Sequence, residues 1–131
     1  MGVNKTSFHI LRVGVAITFL WIGVLIFKSP ETWEGYMQPW AVNLLPIPIR
    51  EALLSTAVLD IAVGVFLLID SFTWIAATIG ALHIVSVIVV SGITDITVRD
   101  LGLLAAAIAL AIDALPVNIY DKIKSWKKVG Q

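Results

Sequence analysis

The chain contains no cysteine. Disulfides, protein-ligated iron–sulfur clusters and thiol redox relays are therefore excluded within it. Charge is also scarce. Only 14% of the 131 residues are charged, while 59% are hydrophobic and the mean hydropathy is +0.96. A soluble domain carries about 25% charged residues, so this chain has too little polar material to coat a water-soluble globule. Nine basic and nine acidic residues cancel, which removes any strong field for nucleic acid or an anionic partner. Histidine is limited to His9 and His83, one at the edge and one in the middle of an apolar segment, so bis-histidine haem within one chain is excluded. One central histidine with one aspartate makes a poor metal site, and no metal centre is expected. A glycine-rich phosphate loop and a nucleophile triad are both missing.

What the chain does hold is four long apolar segments, residues 8–27, 51–69, 74–93 and 101–119. Each is about 20 residues, the length that spans a hydrocarbon core. Backbone groups in lipid must satisfy themselves, so these spans are expected to be helices. The alternating strands of about 10 residues that a barrel needs are not present. The expectation is an all-α, four-helix transmembrane bundle, a single domain over residues 1–131. The first segment is expected to remain as a helix, because Phe27-Lys28-Ser29-Pro30-Glu31 does not resemble a signal cleavage site.

The short turn Asp70-Ser71-Phe72-Thr73 predicts that the second and third segments are antiparallel neighbours. The first connection, residues 28–50, is longer. It carries Pro30, Pro39, Pro46 and Pro48 together with Trp33, Tyr36, Met37 and Trp40. Proline forbids one continuous helix there, and tryptophan and tyrosine favour the interfacial depth. The expectation is a cap over one end of the bundle. The tail, residues 119–131, places Ile119, Ile123 and Trp126 at helical spacing among lysines, a basic amphipathic pattern that suits a headgroup plane. Lys5, Lys122, Lys124, Lys127 and Lys128 outnumber Lys28, Arg50 and Arg99 on the opposite side, which favours a multi-pass cell-membrane protein with both termini cytoplasmic.

Each segment also carries ionisable side chains: Arg12, Asp60, His83 and Asp113. Charge in hydrocarbon is costly, so such groups usually face the protein interior. Helical spacing groups Arg12 with Ala16 and Gly23, Asp60 with Gly64, His83 with Gly80, and Asp113 with Ala106 and Gly102. Small residues mark helix–helix contact in membranes, so all four groups are expected to point inward as a candidate polar site. Estimated depth suggests two pairs, Arg12 with Asp113 and Asp60 with His83. Such pairs can serve only to fix helix register, or can form a site.

The stretches Leu11-Arg12-Val13-Gly14 and Phe19-Leu20-Trp21-Ile22-Gly23, then Leu59-Asp60-Ile61-Ala62-Val63-Gly64, Thr73-Trp74-Ile75-Ala76-Ala77 and Val98-Arg99-Asp100-Leu101-Gly102 resemble the DoxX/DoxD family of small four-helix membrane proteins. The resemblance implies a four-helix bundle. It also implies, through some relatives, a membrane subunit of a thiosulfate:quinone-type oxidoreductase or an association with other redox proteins. Arg12, Asp60 and the outer-side pair Arg99 and Asp100 stand at matching positions.

Three functions follow as expectations. The first is a redox-associated, quinone-linked subunit, with His83 and Asp60 addressing a quinone and Trp21, Trp33 or Trp40 walling it. The chain holds no electron-carrying cofactor motif, so this reading needs a redox partner protein and has quinone as a ligand only. The second is a small carrier or proton relay acting as a homo-oligomer in the lipid bilayer. The third is a non-catalytic scaffold or assembly subunit.

Overall fold

The computed structural model describes residues 4–129. Among them the chain forms seven helices and no strand: α1 (Lys5–Lys28), α2 (Pro30–Glu34), α3 (Pro39–Leu44), α4 (Ile49–Leu68), α5 (Thr73–Ser91), α6 (Thr97–Asp113) and α7 (Val117–Val129). Local chemistry sets the boundaries. Asn4 caps α1 by accepting a hydrogen bond from the Thr6 backbone N–H. Pro30 and Pro39 open α2 and α3 at a position where a missing N–H costs nothing. Gly92 ends α5 at φ 73°, the left-handed conformation that favours glycine.

Helices α1, α4 and α5 are each long and apolar enough to cross a membrane. The fourth candidate span is α6 together with α7, bent by 99° at the break between them. This corrects the fourth expected segment at both ends. It begins at Thr97, where the Thr97 hydroxyl donates to the Gly92 carbonyl and accepts from the Thr94 N–H. It stops at Asp113 and does not run to residue 119, because Pro116 cannot continue the hydrogen-bond ladder. The basic tail is helical to Val129, and residues 130 and 131 of the expected tail lie outside the described residues.

The four long helices pack lengthwise, each antiparallel to the next in sequence. Gly23 lies against Ala57 and Asp60 of α4, and Gly64 lies against Ala16 and Leu20 of α1. A Cβ at Gly23 would stand 2.9 Å from the Ala57 carbonyl oxygen, and one at Gly64 would stand 2.9 Å from that of Ala16. These reciprocal glycines let the α1 and α4 backbones touch, the small-residue packing that replaces a hydrophobic driving force in lipid. Gly80 of α5 sits on Phe19 of α1 and Val63 of α4. The main core joins Phe19, Leu67, Ala77, Ile84 and Leu110, with Leu67 and Leu110 fully buried. A smaller cluster of Ile26, Leu53 and Ala57, flanked by Trp33, ties α2 to the α1–α4 pair. Outside these contacts the surface is a band of exposed apolar side chains, among them Ile17, Trp21, Phe66, Leu82, Val89 and Ile108. An apolar surface of this extent suits contact with lipid and not with water.

Candidate functional site: an apolar cavity with a polar floor

Two pairs of tightly packed helices, α1 with α4 and α5 with α6, meet each other more loosely. Between them, at the end away from α7, lies a cavity of about 300 Å³. Its floor is Phe19, Asp60 and His83. Ile22, Ile26, Val87 and Val90 line its sides, and Trp33, Tyr36, Met37 and Leu45 of the first connection close over it. That connection does form a cap. It is pinned to α5 by a hydrogen bond of 2.9 Å from the Gln38 backbone N–H to the Val90 carbonyl. The Gln38 side-chain amide donates to the Ser91 carbonyl beside it.

The structure brings Asp60 and His83 together. His83 Nε2 lies 3.2 Å from Asp60 Oδ1, with side chains 10% and 5% exposed. The approach is off the line of a hydrogen bond, and the buried Oδ1 oxygen has no hydrogen-bond partner among the described residues. A buried acceptor of this kind normally finds a donor, and here its residue lines the cavity.

Asp100 joins the same cavity from the first turn of α6, within electrostatic reach of both Asp60 and His83. The expected outer-side pair therefore divides. Asp100 turns inward and is half-buried, while Arg99 is exposed. Sequence reasoning paired Asp100 with Arg99 on the outer side and did not place it with Asp60 and His83. The signal was present once α6 starts at Thr97: Asp100, Leu103, Ala107 and Leu110 share one helical face, and the last two are fully buried. No group of three histidine, aspartate or glutamate side chains among the described residues is arranged to hold a metal ion.

Arg12 lies elsewhere, at the opposite end of the assembly. It is 8% exposed and serves the C-terminus of α4, donating through Nη1 to the Leu67 and Leu68 carbonyls. Its Nε stands 3.6 Å from Asp70 Oδ1, and its Nη2 is 3.3 Å from His9 Nδ1. The expected partner was Asp113. The ion pair is with Asp70, because four carbonyls at the end of a helix and their dipole attract a cation at that depth. Asp113 is half-buried at the end of α6 and lies outside the cavity lining. Of the three expected wall residues only Trp33 lines the cavity. Trp21 is 67% exposed on the outer surface, and Trp40 is outside the lining, with its indole N–H donating to Gln38.

Comparison of the chain with protein-family models, with curated proteins and with solved structures gives no match.

Proposed function

We propose that the chain is a DoxX/DoxD-like four-helix transmembrane bundle, with both termini cytoplasmic, acting as a quinone-linked membrane subunit that binds the head of a quinol. The observation that carries this reading is the buried Asp60–His83 pair, 3.2 Å apart, facing an apolar cavity of about 300 Å³. Pockets of about 300–1,000 Å³ with a few convergent polar groups are the usual form of a small-molecule site. The volume suits an aromatic head, with an isoprenoid tail left in lipid. The floor is rich in acceptors. Asp60 Oδ1 lacks a hydrogen-bond partner and Asp100 lies near it, so the floor favours the hydroxyl donors of a quinol over the carbonyls of a quinone. His83 can take or give a proton there.

Oxidation of a bound quinol releases two protons and two electrons. The cavity's carboxylates and imidazole can accept the protons. The electrons require an acceptor in a redox partner protein, because this chain carries no electron-carrying motif. The cavity lining stops at Phe19, Asp60 and His83, and the fully buried Leu67 and Leu110 fill the far end, which disfavours a continuous carrier path.

The test is a titration of the purified protein with a short-chain quinol, read as a rise in thermal midpoint. Ligand that binds only the folded state raises stability by about 2.7 kcal/mol at a hundredfold excess over Kd. The rise should be seen in the natural chain and be lost in His83→Leu and Asp60→Leu. Equal shifts in all three proteins would place the ligand elsewhere. A double variant, Asp60→Leu/His83→Leu, that is stable and supports full activity of a co-purifying redox partner would leave the pair as a device for helix register.

A further inference from the structure

Helix α7 has no buried residue, although it carries large apolar side chains. At about 100° per residue, Ile119, Ile123 and Trp126 fall within one narrow stripe. Lys122 borders that stripe on one side and Lys127 on the other. These five residues, with Asn118, line a shallow surface cleft along the helix. Lys124 and Lys128 occupy the opposite face with Asp121. Ile123 is half-exposed and Trp126 is 76% exposed, so the rest of the described chain does not cover the stripe. A helix of this length is marginal in water without a surface to pack on.

Two observations identify that surface. The 99° bend after α6 turns α7 across the direction of the candidate span, so a membrane-crossing α6 lays α7 along the bilayer surface. The helix carries four lysines against one aspartate, which suits a negative surface. We propose that α7 binds anionic phospholipid, with Ile119, Ile123 and Trp126 sunk among the acyl chains and Lys122 and Lys127 reaching outward to headgroup phosphates. Lysine stems bury along apolar surface while the ammonium groups stay at the phosphate level. Lys122 and Lys127 are the two recognition residues, and Lys124 and Lys128 face away from the bilayer. The inference requires α6 to cross a membrane, and it is independent of what the cavity binds.

The full chain can be tested directly, because it has no native cysteine. A nitroxide on Ile123→Cys and, separately, on Lys124→Cys is placed in nanodiscs holding one chain each. The discs are of pure phosphatidylcholine or contain phosphatidylglycerol. In the phosphatidylglycerol discs the label at 123 should be reached by oxygen and shielded from a water-soluble nickel reagent, with the reverse at 124. Lys122→Gln and Lys127→Gln should each lower the docked-to-undocked ratio about fivefold, the factor expected for about 1 kcal/mol per lysine. Lys124→Gln should have less effect. A label at 123 that stays open to nickel in every disc would overturn the membrane placement. Burial that ignores lipid charge and both glutamine variants would overturn headgroup recognition. Exposure in these discs with burial only in companion discs loaded with two chains would assign the stripe to self-association and overturn the lipid proposal as well. All substituted lysines are exposed, so circular dichroism and an unchanged thermal midpoint verify that each variant remains folded.

Discussion

At the end where α1 begins and α4 stops, the buried cation is held by groups of the chain's own, although Arg12 Nε faces Asp70 at 3.6 Å without a hydrogen bond. Arg12 closes the α4 carbonyls, Asp70 takes both Arg12 and the Thr73 hydroxyl, and Leu67 and Leu110 fill the space between the helices. At the other end the polar groups are also buried, but they border open space. Asp60 holds an oxygen with no hydrogen-bond donor, and the space above it is lined with apolar side chains under a cap. The same four helices thus hold one end that is closed by its own bonds and one that is built around a gap. Satisfied polar networks stabilise and rigidify, whereas partly satisfied ones invite a ligand.

The comparison breaks if stability is lost equally at both ends. The largest loss is expected for Arg12→Leu, on the order of 3 kcal/mol, because it leaves α4 carbonyls without a partner in a buried setting. Unfolding in detergent monitored by circular dichroism measures it. A loss below about 1 kcal/mol would mean that water satisfies that end. Gly64→Ala comes next, at about 1–3 kcal/mol from overpacking against the Ala16 backbone. Gly14→Ala on the same helix pair provides the contrast, since a Cβ there meets nothing within 4 Å. It should stabilise by about 0.5–1 kcal/mol through helix propensity, and the same melts decide between a gain and a loss.

The smallest stability effect is expected where the site reading places function. Asp60→Leu/His83→Leu should melt within about 1 kcal/mol of the natural chain, since apolar replacement of a buried pair is often neutral. Quinol binding should nevertheless be lost, and retained stabilisation by quinol would remove the contrast between the ends. A labelling experiment sharpens the comparison through topology, with a melt to register the loss of the Asn4 cap. Asn4→Cys and Gly35→Cys lie at opposite ends, so in intact cells an impermeant thiol reagent should modify only the second. Reaction at residue 4 would invert the proposed orientation.

Much of this arrangement was legible from spacing. Asp60 and His83 could be paired because a four-residue turn joins their helices and both lie near mid-segment, and Gly23, Gly64 and Gly80 marked true close contacts. Gly102, read by the same logic, meets nothing within 4 Å, since small residues are also common on lipid faces. Depth alone misled for Arg12. It ranked side chains against side chains, while the strongest acceptors at that depth were backbone carbonyls at the end of α4. Asp100 was read as an outer-side residue because the start of α6 depends on the Thr94–Thr97 hydroxyl contacts, and the helical face of Asp100 follows from that start. The cap formed by the first connection followed from its prolines and aromatics, but its attachment to α5 through Gln38 left no trace in local composition.

That attachment sets an order on how the molecule is made. The α1–α4 pair can pack as soon as residue 68 has left the ribosome and entered the bilayer. The cap between those helices has its anchor at Val90 and Ser91, which are synthesised more than 20 residues later. During that interval the newly inserted hairpin exposes Asp60 without His83, and the cap is held by the packing of Trp33 against the α1–α4 pair without its hydrogen bonds to α5. The arrival of α5 supplies both the imidazole and the latch, and α6 then adds Asp100 and Leu103, so the cavity is completed only late in translation.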